Sequence, residues 1–240
     1  MSEEPLTRSL FVISLPRSLS TVVYHTARKW LGLAEPTWTT DGEILNNDRF
    51  VMYRGAAHDE GRKFTDPAAE PLVARQLEMF VAQTVQPFGY AYKDVVQPLV
   101  ITNWLRANAG SLSILRIRRD VADVALSMLR NRWLYPSNLH EKTARTDMEA
   151  AFLHGLLDAE AALASVPAVE VDYDALIDGE QSLRDALHAL APHGEPAGVK
   201  YIDAEFRDKR EECLRERDSE RHRLLRARID ELRETRIASR

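Results

Sequence analysis

The stretch Ser9-Leu10-Phe11-Val12-Ile13-Ser14-Leu15-Pro16-Arg17-Ser18-Leu19-Ser20-Thr21 decides how the chain is read. Its first six residues form a short apolar run that suits a strand buried on both faces. Residues 19–33 then follow helical spacing through Val22, Val23, Ala27, Trp30 and Leu31. Leu15, Pro16, Arg17 and Ser18 are left as a tight strand-to-helix turn. The N–H groups that open a helix have no intrahelical partner, and the macrodipole adds partial positive charge there. Arg17 supplies a full charge and a planar fork of donors, and Ser18, Ser20 and Thr21 supply hydroxyls. The expected product is a site for a small anion; an ordinary helix cap with serines in the turn is the plainer alternative.

Working outward, periodicity predicts helices over 71–86, 98–108, 120–130, 143–165 and 182–191, and strands over 89–95, 111–117 and 168–172. Asp120 is placed to cap its helix, with Asp123 at capping-box spacing. Residues 34–66 and 133–142 read as loops, the second broken by Pro136, and 192–198 as a turn-rich connection. Strands alternating with helices predict an α/β protein with three layers, α/β/α, around a central parallel sheet. Ligands of such sheets bind beyond the carboxyl ends of the strands. Residues 15–21, 93–97 and 118–120 therefore belong on one functional edge.

Composition narrows the function. The chain has 240 residues, 45% hydrophobic and 29% charged, which fits a single globular domain over 1–240. A net charge of −5 argues against bulk binding of nucleic acid. The lone cysteine, Cys213, forms no intrachain disulfide and fits a reducing compartment. Glu3 and Glu4 precede an apolar run too short for a signal peptide or a membrane span, so a cytoplasmic, unanchored protein is expected. Residues 203–240 carry 12 basic and 11 acidic residues with one apolar stripe, Leu225, Ile229 and Leu232, which predicts a highly charged C-terminal helix docked by that stripe.

The anion loop is not that of the kinases: G-x-x-x-x-G-K-[ST] is absent. It resembles instead the first signature of the sulfotransferases that use 3′-phosphoadenosine-5′-phosphosulfate, roughly P-[KR]-S-G-[ST]-[ST], standing here as Pro16-Arg17-Ser18-Leu19-Ser20-Thr21. Leu19 takes the usual glycine position and, since Leu resists positive φ, a loop conformation suited to a side chain is expected. The second signature, roughly R-[DN]-x-x-D-V-x-x-S, is matched at every fixed position by Arg119-Asp120-Val121-Ala122-Asp123-Val124-Ala125-Leu126-Ser127. Gly89 to Lys93 looks like the family's middle strand, and Val169 to Leu176 like its structural strand and turn, so the resemblance spans about residues 9–190.

The resemblance implies a P-loop NTPase-like sulfotransferase fold. It also implies 3′-phosphoadenosine-5′-phosphosulfate as donor, no metal, and Arg17, Ser18, Leu19, Ser20, Thr21, Arg119 and Ser127 as nucleotide-binding residues. Lys93 and Arg17 are expected to offset charge on the leaving phosphate. The histidine two residues after the lysine in many animal members is Val95 here, which takes no proton. Several bacterial members carry G-E-x-x-N after the first helix, and Gly42-Glu43-Ile44-Leu45-Asn46 matches it, so Glu43 is the first choice of general base. Asp41 and His25, one turn beyond Thr21 on the same helix face, are the other candidates, and His58 lies in the lid-like loop.

Residues 37–66 and 133–142, with Trp38, Phe50, Tyr53, Trp133, Leu134 and Tyr135, are expected to form the pocket for a small hydroxylated acceptor. No nucleic acid or membrane partner is expected, and a homodimer is compatible with the sequence. The competing class is a nucleotide- or phosphate-binding protein, or a kinase-like enzyme, without sulfuryl transfer.

Overall fold

The structure is a computed structural model, and its described residues are 7–45, 63–179, 181–191 and 203–238. The apolar run forms β1 (Leu10–Ser14), buried along its whole length. It lies inside a four-stranded sheet of order β2-β1-β3-β4, with β2 (Ala91–Asp94), β3 (Ser113–Arg118) and β4 (Val169–Asp172). Every pairing is parallel; Val12 stands beside Lys93 on one side and Leu115 on the other.

Alternate side chains of β1 leave on opposite faces, as the pleat requires. Leu10 and Val12 join one apolar cluster with α1 (Ser20–Trp30), α7 (Tyr173–Asp178) and α8 (Gln181–Leu190). Phe11 and Ile13 join another. This second cluster takes in α2 (Pro71–Thr84), α3 (Pro98–Asn108), α4 (Val121–Arg130) and α6 (Met148–Ala164). Helices on both faces of a parallel sheet give the three-layer α/β/α class read from the sequence.

Three local readings are corrected. Residues 133–142 are no plain loop: Tyr135–His140 is a 3₁₀ turn leading into α5 (Glu141–Ala144). It is seated by Gly155 of α6, where a Cβ would lie 1.9 Å from the Pro136 carbonyl oxygen. The charged tail is two helices, α9 (Asp203–Arg217) and α10 (Glu220–Ala238). As expected, Leu225, Ile229 and Leu232 are buried, on the α4 and α6 side of the sheet. Asp120 caps α4 by accepting from the N–H groups of Ala122 and Asp123. The Asp123 side chain, though, is no reciprocal cap: it is buried and turned to the tail. Its carboxylate takes Arg217 of α9 at Oδ1 3.2 Å and His222 of α10 at 2.7 Å.

Among the described residues no helix is long and apolar enough to cross a membrane. Asn46, Phe50, Tyr53, His58 and the 192–198 connection lie outside the described residues.

Candidate functional site

Beyond the carboxyl ends of β1, β2 and β3 lies a cavity of ≈ 340 Å³, lined by the loop from Pro16 to Val22 together with Glu43, Val95, Arg119 and Ser127. The three segments assigned to one functional edge therefore meet. The sheet order sets their sequence along that edge: β2 carries Lys93, β1 the loop, and β3 leads to Arg119.

The loop departs from the reading of Leu19. Leu19 has φ 58° and Arg17 φ 64°, both left-handed. A non-glycine residue held there costs on the order of 1–2 kcal/mol, and such strain concentrates at functional turns. Leu19 is the residue before α1 and gives no side-chain cap, so the first N–H groups of α1 keep their donors for the cavity. Ser18 and Ser20 are largely buried but line the cavity.

Lys93 is 1% exposed and is not itself a lining residue of the cavity; its ammonium donates to Thr21 Oγ1 at 2.7 Å and pairs with Glu43 Oε1 at 3.1 Å, both of which line it. Glu43 is delivered by backbone pairing. The Lys93 N–H donates to the Gly42 carbonyl at 2.7 Å, and the Ile44 N–H donates to the Lys93 carbonyl at 3.2 Å. Gly42 is required there, because its φ is 72° and a Cβ would lie 2.3 Å from the Tyr24 ring. The other base candidates sit elsewhere: His25 Nε2 is 2.9 Å from Asp41 Oδ1, and neither lines the cavity.

Asp94, the next residue on β2, is 1% exposed. Its Oδ1 accepts from the Val96 and Gln97 N–H groups, and its Oδ2 has no partner among the described residues. Burial raises its pKa to about 7, with the neighbouring Glu43 pushing the same way against the pull of the Gln97 N–H.

At the β3 end Arg119 donates to the Arg17 carbonyl oxygen and stacks on Tyr173 at 4.1 Å from the ring centroid. Its Nε is buried with no partner among the described residues. Arg17 donates through Nε to Ser127 Oγ at 3.2 Å and stacks on Trp133 at 5.3 Å. Arg17 and Arg119 make no ion pair with a described carboxylate, which for the buried Arg119 leaves a charge without a counter-ion. Two guanidiniums and free helix N–H groups, backed by the buried Lys93 ammonium bonded to Thr21 and Glu43, make a site for a polyanion.

Several lining residues were not singled out from the sequence: Lys63, Tyr173, and Lys209, Glu212, Cys213 and Glu216 of α9. Burial raises the Tyr173 phenol to about 12 and pushes the Cys213 thiol up as well. The α9 residues come from the far end of the chain, and no local spacing announces them. His222 is likewise unannounced: it meets Asp120 and Asp123 of the second signature, with ligand-type atoms of the three within 4.8 Å of one another. Arg217 already occupies Asp123 there.

No family model and no curated protein matches the chain. Among solved structures it is similar to the crystal structure of sulfotransferase STF9 from Mycobacterium avium, at 14% identity and a TM-score of 0.47, covering 86% of this chain and 68% of that one.

Proposed function

We propose that this chain is a sulfotransferase that moves a sulfuryl group from 3′-phosphoadenosine-5′-phosphosulfate to a hydroxyl of a small acceptor. The observation that carries the reading is the buried Lys93 ammonium, held between the Thr21 hydroxyl and the Glu43 carboxylate, both of which line the cavity. The unpartnered Arg119 Nε supports it, because it waits for an oxyanion where the second signature expects the 3′-phosphate.

In this reading the 5′ end of the donor lies on the α1 N-terminus and the loop, and the 3′-phosphate on Arg119 and Ser127. The acceptor hydroxyl attacks sulfur in line. A new oxygen–sulfur bond forms as the bond from sulfur to the bridging phosphate oxygen breaks. Glu43 takes the hydroxyl proton, and the electron pair stays on the departing phosphate. Charge growing on that oxygen is met by Lys93, Arg17 and the helix N–H groups, donors fixed before the reaction begins. Protonation of Glu43 removes the negative charge beside Lys93, so the charge of the ammonium is less offset as transfer proceeds.

Thermal stabilisation tests the reading. 3′-Phosphoadenosine-5′-phosphate at 100 times its dissociation constant adds about 2.7 kcal/mol, and adenosine-5′-monophosphate at the same concentration adds far less. Equal stabilisation by the two nucleotides, or by neither, sinks the proposal. Radiolabelled sulfate transfer to hydroxylated acceptors separates an enzyme from a nucleotide-binding protein.

A further inference from the structure

We infer that the acceptor is itself an anion: a hydroxylated molecule with a flat apolar body and a carboxylate or phosphate group that is received by Lys63. The inference rests on the donor assignment above and extends it to the other half of the cavity.

One wall of the cavity is a ladder of two cations and two rings. Arg17 stacks on Trp133 at 5.3 Å, Trp133 lies 6.3 Å from Tyr135, and the Lys63 ammonium stands 5.2 Å from the Tyr135 centroid. Trp133 is 41% exposed, so its ring offers open area to a ligand. Lys63 makes no ion pair with a carboxylate of the described residues, although Glu43 lines the same cavity. Its backbone is pinned: the Lys63 carbonyl accepts from Asn138 Nδ2 at 3.0 Å, and the Phe64 N–H donates to the Val96 carbonyl at 2.7 Å. The next residue, Thr65, donates its N–H to Gln97 Oε1 at 2.8 Å. A lysine anchored in this way over an aromatic face is a preorganised cation.

The order of the strands says which ligand it meets. Phe64 and Thr65, which follow Lys63, are hydrogen-bonded to Val96 and Gln97, just past the end of β2, whereas Arg119 and Ser127 lie past the end of β3, with the loop after β1 between them. A donor whose 3′-phosphate rests on Arg119 and whose 5′ end rests on the β1 loop points its transferable group toward β2. Lys63 lies on the far side of that group, where only the acceptor enters. Glu43 is on the same side and takes the hydroxyl, Trp133 and Tyr135 cover the flat body, and Lys63 is left for an anionic substituent.

The test uses the full chain saturated with 3′-phosphoadenosine-5′-phosphate. Calorimetry or ligand-observed NMR measures binding of matched probes: para-hydroxyphenylacetate against para-hydroxyphenylacetamide, and tyrosol phosphate against tyrosol. Each anion is expected to bind about five- to tenfold more tightly than its neutral partner. Lys63→Met should bring that ratio toward one, and Lys63→Arg should restore it; stabilisation by the nucleotide reports that both variants are folded. A ratio near one in the wild type, no anion bound at millimolar concentration, or a ratio that survives Lys63→Met overturns the inference while the donor assignment stands. Failure of the nucleotide to bind the wild type overturns the donor assignment itself.

Discussion

Gly42 lies so close to Tyr24 that any side chain would have to share space with the phenol ring: a Cβ would be 2.3 Å from two of its carbons. The Tyr24 hydroxyl is tied to the Ala91 carbonyl at 3.2 Å, so the ring has little room to retreat. Gly42→Ala should therefore displace the Gly42–Glu43 backbone from β2 and carry Glu43 away from Lys93. We expect a loss of about 1–3 kcal/mol in stability and a fall in transfer rate larger than the fall in nucleotide affinity. Melting curves and kinetics on one preparation check this; a fully active Gly42→Ala protein refutes it.

Glu43→Gln keeps the size of the side chain and removes its capacity to take a proton. Turnover should fall by about 10²–10⁴. Nucleotide affinity should not fall, because the change removes a negative charge beside Lys93 and the phosphate loop. His25→Asn, whose partner is Asp41 outside the cavity, should be mild. The reverse ranking of the two variants would move the base role to the histidine.

Arg119→Ala removes the guanidinium with the free Nε. The preference for a 3′-phosphorylated nucleotide over adenosine-5′-monophosphate should drop by about 10- to 100-fold, the range of one hydrogen bond to a charged group. Titrations with both nucleotides give the ratio directly; an undiminished preference removes Arg119 from the 3′-phosphate site.

Asp94 sets a pH dependence of stability. Its pKa is 3.8 when unfolded and about 7 in the fold, so between those values the folded state binds more protons than the unfolded one. Stability contributed by this group is complete below about pH 4, drains away as pH rises toward 7 and is gone above it. Asp94→Asn keeps an acceptor for the Val96 and Gln97 N–H groups and has no charge to bury. It should flatten this slope and gain stability at pH 8, on the order of 2–4 kcal/mol. Denaturant melts across the pH range decide; an unchanged slope is the contrary result.

Asp123 behaves in the opposite sense. Burial pushes its carboxyl up, but the Arg217 hydrogen bonds and charge outweigh burial, with Arg119 and His222 adding to them, and hold it below the usual range. Its contribution is present above the unfolded value of 3.8 and is lost as pH falls below it. Asp123→Asn takes the carboxylate from the buried His222 and leaves Arg217 with Asp174 alone; it should cost about 1–3 kcal/mol at neutral pH. A loss under 1 kcal/mol would show that the tail is held by its apolar stripe and its other ion pairs, such as Arg233–Glu160 and Arg226–Asp120, rather than by Asp123.

The sheet was legible because a strand buried on both faces, such as Leu10–Ser14, is written as an unbroken apolar run. Arg17 and Arg119 could be placed on the cavity edge because each stands at a strand end or helix start next to such a run; Ser127, inside α4, and the part given to Lys93 were marked only by likeness to known segments. Glu43 was not readable from local pattern; only its likeness to a known segment marked it, since backbone pairing with Lys93 leaves no periodic trace. Leu19 misled because propensity disfavors positive φ, and the surrounding loop overrides it. Pro136 was read as a breaker, although proline suits the start of the 3₁₀ turn it occupies. Asp123 was read as a local cap because its partners Arg217 and His222 lie more than ninety positions away.

The grip of Asp123 on α9 and α10 has a consequence for any shortened form of the protein. Stopping translation near residue 202 would spare every residue of both signatures. It would also bare a carboxylate that is 1% exposed, strip the cover of Leu225, Ile229 and Leu232 from the outer layer, and open the cavity wall that Lys209, Glu212 and Glu216 provide. A late nonsense codon that removes α9 and α10 should therefore silence the protein as surely as a lesion in the phosphate loop.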